Sequence, residues 1–355
     1  MGTGTGECVV VIGAGLVGAS IGMALVGRGH RVHLRDRVSS HARVAAELGA
    51  GTTDKAAPDD VDLVVVAVPP AAIATAVLGA LERYRSAVVT DVGSVKGAVL
   101  ADLAASGVDL SRYVGSHPMA GSQHAGPLTS TADLFVDRTW VVTPHLTSAP
   151  EAVARVEQLA RDCGGRVVVL DAREHDEAVA QVSHLPQLMS SLTAGRLVDV
   201  PAEHLRLAGQ GIRDVTRIAG SDPDLWQQIV AANADAVRTE LLAVQEALAG
   251  LVAVLDDPEA VREFIARGRR GTRALPGKHG HRATEFAHVV VEIPDAPGAL
   301  ARLFADIDEA GVNVEDLAIE HDEAREVGYL SVAVTSERVD SLTSTMIGKG
   351  WTVRP

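Results

Sequence analysis

The sequence predicts an α/β segment, then an all-helical segment, then a smaller βαββαβ module, and three observations predict this order. Apolar runs alternate with helical patterns over residues 7–171. Residues 172–267 hold almost nothing strand-like. Residues 286–355 read strand, helix, strand, strand, helix, strand. At 355 residues the chain is also too long for one ordinary core. Its 47% hydrophobic content is that of a folded protein, and with aromatics at only 3%, Val, Ala and Leu must fill the core.

In the first segment, strands are expected at Cys8–Ile12, Arg31–Leu34, Asp62–Val68, Ala87–Thr90, Tyr113–Gly115, Thr139–Thr143 and Arg166–Leu170. Runs such as Leu63-Val64-Val65-Val66 lack polar alternation, which suits parallel strands covered on both faces. Strands spaced by helices imply a doubly wound sheet.

In the second segment, Glu174–Val198 reads as one helix kinked by Pro186, which removes a donor and crowds the carbonyl of Val182. Leu225–Leu255 reads as another. In it Trp226, Val230, Asn233, Val237, Leu241, Val244 and Leu248 form one mostly apolar stripe. Packing within the chain and a dimer seam are both open readings of that stripe. Residues 268–285, rich in Gly, Arg and His, read as a linker. A nucleic-acid patch there is disfavoured by the absence of aromatics.

The third segment begins with a strand at Ala287–Ile293 and a Pro294–Gly298 turn, followed by a helix at Ala299–Ala310 and a Gly311–Asn313 turn. Strands near Val314–Ile319 and Gly328–Val334, a helix near Val339–Ile347 and a closing strand at Trp351–Val353 complete a pattern that resembles a ferredoxin-like module.

Composition excludes several roles. A formal charge of −14 repels nucleic acid and anionic membranes, so an anionic substrate would need a site of locally reversed sign. No apolar run is long enough for a membrane span. Met1–Glu7 does not read as a signal peptide. The two cysteines, Cys8 and Cys163, suggest neither a disulfide framework nor a thiolate metal site, which makes the cytoplasm the default compartment.

Cys8–Ile12 runs into Gly13-Ala14-Gly15-Leu16-Val17-Gly18. A lone GxGxxG is weak evidence. This one follows a strand, opens a helix and has Asp36 18 positions after its last glycine, the context of a Rossmann-type dinucleotide site. Gly13 permits the tight turn, Gly15 lets backbone approach the pyrophosphate, and Gly18 lets helix and strand pack closely. The free amides of the turn, through Leu16 and Val17, and the helix dipole face the phosphate charge. Asp36 would accept the ribose hydroxyls and repel a 2′-phosphate, which favours NAD. Arg37 and Arg35 leave NADP open, because an arginine there could hold that phosphate. Val68-Pro69 ends a strand on the crevice side, where Pro69 could touch the nicotinamide half or simply make the turn.

Hydride transfer to NAD needs a base for a hydroxyl proton and a cation for an acidic substrate. Among 13 histidines, His117 stands out, in Ser116-His117-Pro118-Met119-Ala120-Gly121-Ser122-Gln123, just after a predicted strand. A surface histidine is the competing reading. Ser94, in Asp91-Val92-Gly93-Ser94-Val95-Lys96-Gly97, could orient the histidine or a substrate oxygen, or act only as a cap. His184 lies beside the Pro186 kink. Arg213 and Arg217 sit one helical turn apart and would grip a carboxylate bidentately, or form a solvated face. His175 and His184 are not spaced as a metal pair and no HExxH occurs, so no metal is expected.

Together these elements resemble the prephenate/arogenate dehydrogenase family of tyrosine biosynthesis. The motifs that carry the resemblance are Gly13–Gly18, Asp91–Gly97, Ser116–Gly126, His175–Gln187 and Gly211–Trp226. The resemblance implies oxidative decarboxylation of a cyclohexadiene that carries a ring hydroxyl and, para to it, a carboxylate. His117 would take the hydroxyl proton while hydride passes to NAD, and Ser94 would sit against that histidine. Arg217 would grip a substrate carboxylate with Arg213 as a nearby second cation. His184 would contact substrate, and Trp226 matches a tryptophan that in some members comes from the partner subunit, which favours a homodimer. Gln123 stands where some members carry glutamate, and a neutral side chain offers no countercharge to the ammonium of arogenate. Prephenate is therefore the expected substrate, with arogenate as the alternative. The last segment resembles an ACT domain. That implies tyrosine as a feedback effector held near Asp295, Gly298 and Asn313, with pure dimerisation as the alternative. A non-catalytic NAD and amino-acid sensor, and a hydroxyacid-type dehydrogenase, are the competing classes. The first leaves His117, Ser94 and Arg217 without a use; the second leaves the C-terminal module without one.

Overall fold

A computed structural model describes residues 6–120, 126–275, 286–294, 296–314, 316–322 and 327–354. The chain forms two compact units, residues 1–246 and 247–355.

The first unit opens with β1 (Cys8–Ile12), α1 (Leu16–Gly27), β2 (Arg31–Arg35), α2 (Ser39–Glu47), β3 (Leu63–Val66), α3 (Pro70–Arg83), β4 (Val88–Asp91) and α4 (Gly97–Ala105). The four strands pair in parallel in the order β2-β1-β3-β4. Val9, Val10 and Val11 and all of Leu63–Val66 are buried, as expected for strands covered on both faces. All four strands therefore end at the same edge, where Gly13, Asp36, Val68-Pro69 and Gly93-Ser94 follow them.

Next come β5 (Gly115–Pro118), β6 (Thr139–Thr143), α5 (Pro150–Asp162) and β7 (Arg166–Val169), with β6 central, antiparallel to β5 and parallel to β7. A parallel bridge, Val89 to Tyr113, carries β5 alongside β4 toward the same carboxyl edge. The sequence reading set this strand at Tyr113–Gly115 with His117 after it. Pairing with β6 shifts the strand, so His117 lies within it, opposite Val141.

The helical segment begins with α6 (Ala172–Val179), one π-helical turn (Ala180–His184) and α7 (Leu185–Arg196). The expected proline kink is thus a π turn. The wider turn ahead of Pro186 takes up the lost donor and the crowded carbonyl. Then come α8 (Ala202–Leu205), α9 (Gln210–Thr216), a 3-10 turn (Arg217–Gly220), α10 (Pro223–Ala232) and α11 (Ala234–Ala253). The single helix read over Leu225–Leu255 is therefore two, broken at Asn233, whose φ of −122° and ψ of 29° leave the helical range. Its side chain turns inward to make bonds described below.

In the second unit α12 (Pro258–Thr272) runs into the stretch read as linker. Asp257 caps its start, and Arg262–Glu259 and Arg270–Glu263 pairs line its surface, enough to hold helix through Gly268 and Gly271. The remainder of that stretch, 276–285, lies outside the described residues. β8 (Phe286–Pro294), α13 (Ala299–Glu309), β9 (Asp316–Asp322), β10 (Val327–Thr335), α14 (Val339–Gly348) and β11 (Thr352–Arg354) follow. The strands form one antiparallel sheet in the order β11-β8-β10-β9. Its own core includes Val291, Leu303, Leu330, Val332, Leu342 and Met346. Gly298 opens α13 with φ +83°, Asn313 is exposed before β9, and Asp295 lies outside the described residues.

Candidate active site

The glycine turn has the geometry its sequence suggests. Gly13 takes φ +100°, and a Cβ on it would stand 2.1 Å from the carbonyl oxygen of Ala67. A Cβ on Gly18 would stand 1.9 Å from the carbonyl oxygen of Gly13. A Cβ on Gly15 would meet no atom within 4 Å. Gly13 and Gly18 are thus glycine because protein fills the space, whereas Gly15 borders open space at the start of α1. That is the arrangement a dinucleotide pyrophosphate requires. Leu16 and Val17 form the first turn of α1. Asp36 accepts from the amides of Ala14 and Val38, each at 2.7 Å, which ties β2 to the glycine turn and fixes its carboxylate. Arg35 is turned aside: its guanidinium donates to the carbonyls of Leu34, Thr53 and Asp54. Arg37 is exposed, and Pro69 caps α3.

Beyond β4 a buried polar cluster begins. Asp91 is fully buried; it accepts from the Lys96 ammonium, from the Gly93 amide at 2.9 Å and from the Tyr113 hydroxyl at 2.7 Å. Lys96, itself buried, also donates to the Ser116 carbonyl at 2.9 Å, next to His117. Burial, and then the Asp91 charge, hold the Tyr113 phenol well above its usual range.

His117 Nδ1 lies 2.9 Å from His175 Nε2, and His175 Nδ1 lies 2.8 Å from Asp176 Oδ1. The carboxylate can only accept, so His175 carries its hydrogen on Nδ1. With His175 neutral, its Nε2 then accepts from His117 Nδ1. That leaves His117 Nε2 bare, with its lone pair available to a ligand. Burial, helped by His175, Lys96 and His184, drives the His117 pKa well below its usual value, so this ring is neutral at pH 7. Asp176 also accepts from the amides of Lys96, at 2.9 Å, and Gly97, at 2.7 Å, at the start of α4. One carboxylate therefore joins the sheet segment to the histidine chain.

His184 is buried on the π turn, with the Trp226 ring edge-on at 5.9 Å. The tryptophan of the same chain fills this place. Asn233 bonds to both His184 and Asp176. α10 packs on α3, and Gln228 of α10 accepts from the amide of Ala71, two residues past Pro69.

The structure therefore brings His117, His184 and Trp226 into one polar cluster. Ser94 is half-buried on the loop after β4, but His117 bonds to His175, and no hydrogen bond joins it to Ser94. Arg213 on α9 and Arg217 on the following turn are exposed, on elements packed against α7. Gln123 lies outside the described residues. Sequence reasoning placed neither His175 nor Asp176 in a chain with His117, and it assigned no role to Lys96 or Asn233. For Asn233 a signal existed, as the one polar member of an otherwise apolar stripe. A cavity of about 1270 Å³ is lined by Asp176 and Asn233 of this cluster together with Asp171, Glu177, Asp235 and Glu240, and not by His117 or the glycine turn; its acidic walls are wrong for an anion.

Comparison with known proteins bears on this arrangement. Residues 21–169 match the prephenate dehydrogenase nucleotide-binding domain and residues 171–264 the prephenate dehydrogenase dimerization domain. The "Probable prephenate dehydrogenase NovF" of Streptomyces niveus is 35% identical over 96% of this chain and 98% of its own length. The chain belongs to the prephenate dehydrogenase family. Among solved members, a prephenate dehydrogenase from Aquifex aeolicus in complex with hydroxyphenyl propionate and NAD+ is 27% identical. It superposes with TM-score 0.68, over 76% of this chain and 98% of that one. The Synechocystis arogenate dehydrogenase matches 75% of this chain and 99% of its own at 26% identity, TM-score 0.64. No helix among the described residues is long and apolar enough to cross a membrane, and none of their His, Cys, Asp and Glu groups could hold a metal.

Proposed function

We propose that this chain is an NAD-dependent prephenate dehydrogenase, converting prephenate to 4-hydroxyphenylpyruvate and carbon dioxide in tyrosine biosynthesis. The observation that carries this reading is the His117–His175–Asp176 chain, which leaves a bare, neutral imidazole nitrogen at the carboxyl edge of the strands. Bound at the glycine turn, with Asp36 on the ribose, NAD supplies the acceptor for the hydride. His117 Nε2 takes the ring-hydroxyl proton as hydride leaves the same carbon. The imidazolium that forms is stabilised through His175 by Asp176. Loss of carbon dioxide leaves a phenolate, and His117 returns the proton to it, so no proton is released overall. Aromatisation drives the step forward, so the protein's task is mainly to position and polarise. Arg217 and, beside it, Arg213 are the proposed holders of a substrate carboxylate. Ser94 orients a substrate oxygen rather than the histidine, and Trp226 walls the ring.

Two features favour prephenate over arogenate. Gln123 is neutral. Asp176 and Glu177 are already committed, to His175 with the α4 amides and to Arg173, so neither is a spare partner for an ammonium. Absorbance of NADH is the test, with both substrates and both cofactors. Turnover should follow prephenate and NAD; tenfold greater efficiency with arogenate would overturn the preference.

Residues 286–355 are further proposed to be a ferredoxin-like ACT module that binds tyrosine near Asp295, Gly298 and Asn313. A Cβ on Gly298 would meet no atom within 4 Å, leaving room for close ligand approach. Removing residues 286–355 should abolish tyrosine inhibition and keep turnover, whereas unchanged inhibition would move the effector to the active site. A homodimer is proposed through the helical segment, where Leu192, Val198, Leu207, Val215 and Leu242 are exposed.

A further inference from the structure

Asn233 occupies the break between α10 and α11 and is buried. Its side-chain amide nitrogen lies 2.8 Å from the carbonyl oxygen of Asp176 and 3.2 Å from His184 Nδ1. A carbonyl oxygen can only accept, so the nitrogen of the amide, not its oxygen, must face Asp176. The same nitrogen then points an N–H at His184 Nδ1, which can only be an acceptor. A neutral imidazole with Nδ1 accepting carries its hydrogen on Nε2.

We infer that Asn233 is a positioning residue that fixes the tautomer of His184, so that Nε2–H is offered as a hydrogen-bond donor to the substrate. The inference rests on the reading of this site as a prephenate dehydrogenase. Its groups fit a donor rather than a base. Trp226 on α10 fixes the ring edge-on at 5.9 Å. His117, itself neutral, is one titratable neighbour of His184. Burial dominates the titration of His184, with Asp176 on α6 opposing it and His175 on α6 adding to it, which brings the His184 pKa down to about 4. The ring therefore stays neutral at working pH, and the two histidines divide the work. His117 presents a lone pair and His184 presents a hydrogen. Had Asn233 been absent, the neutral ring could exchange tautomers and offer the substrate a lone pair in place of a hydrogen.

Long-range ¹H–¹⁵N correlation of the full-length protein tests this directly, with the His184 signals assigned by their loss in His184→Gln. In the wild type the Nε2 signal should be that of a protonated nitrogen and Nδ1 that of a bare one, and adding prephenate without NAD should shift Nε2. Asn233→Asp places an acceptor against both the Asp176 carbonyl and Nδ1. It should move the hydrogen to Nδ1 and raise KM for prephenate about tenfold, the effect of one lost hydrogen bond, with kcat changed much less. A wild-type ring protonated on Nδ1, or an Asn233→Asp protein with unaltered tautomer and KM, would overturn the inference. Should Asn233→Asp not fold, the wild-type spectrum decides. Because the spectral arm needs no turnover, a chain that bound prephenate at Nε2 but failed to oxidise it would refute the proposed function and leave the tautomer assignment standing.

Discussion

At the scale of single residues, the site is set by which groups burial keeps neutral. His117 and His184 both have pKa values below that of a free imidazole, chiefly through burial. The sign follows from linkage. As pH falls below 6.5 the unfolded chain takes up protons that the native rings refuse, so stability is full above that pH and declines below it. For His184, at about 4 in the native state, the loss between pH 7 and pH 5 is about 2 kcal/mol. Urea unfolding at the two pH values should show His184→Gln lacking that part of the decline; equal declines in both proteins would contradict it. The same burial keeps the acid limb of kcat/KM below pH 6.5, so activity should persist where an ordinary histidine base would have been protonated. His117→Asn should lower kcat about 10²–10⁴-fold with a small change in KM. Lys96→Met strands the Asp91 carboxylate without its cation, and unfolding measurements should register a loss of about 3–5 kcal/mol. His117 could be found in the sequence because its neighbours Ser116, Pro118 and Met119 form a local motif. Its partner could not: His175 is 58 positions away, and only folding reveals that the two rings meet.

At the scale of elements, the glycine turn separates two kinds of constraint that one motif hides. Gly18→Ala drives a methyl group into the Gly13 carbonyl, so it should unfold or distort the turn. Gly15→Ala points its methyl into open space, so it should fold with near-normal stability yet lose NAD affinity. Thermal unfolding alongside a cofactor titration distinguishes the two, and equal loss of stability in both variants would refute the assignment. This element was readable because strand, turn and helix are contiguous. The helical segment was less so. Periodicity alone cannot distinguish a helix that passes through Asn233 from two helices that meet there, because the apolar stripe continues on both sides. Nor can it separate a proline kink from a π turn, since both answer the same missing donor at Pro186. The Arg270–Glu263 pairing spans nearly two turns, so a composition rich in Gly and Arg read as linker where α12 continues.

At the scale of the molecule, the two family matches end at residue 264, and the solved relatives fit nearly their whole length onto about three quarters of this chain. The C-terminal βαββαβ sheet, with a core of its own, lies beyond the two family matches. A protein truncated before residue 286 should therefore still fold and turn over, which circular dichroism and the NADH assay would check together. The order of elements in that module was legible from alternation and turns, although its strand ends lie one to three residues from where the pattern set them.

Asp176 has a consequence of another kind. The same two oxygens seat the first turn of α4 and terminate the histidine chain, so selection for folding and selection for turnover act on one side chain. Asp176→Asn should weaken both together, by about 1–2 kcal/mol in stability and at least tenfold in rate, and no single replacement can trade one against the other. In a mutational landscape such a position is pleiotropic. Relatives that differ in substrate are therefore expected to keep this carboxylate, and an aspartate replaced there without loss of fold or turnover would contradict the double role.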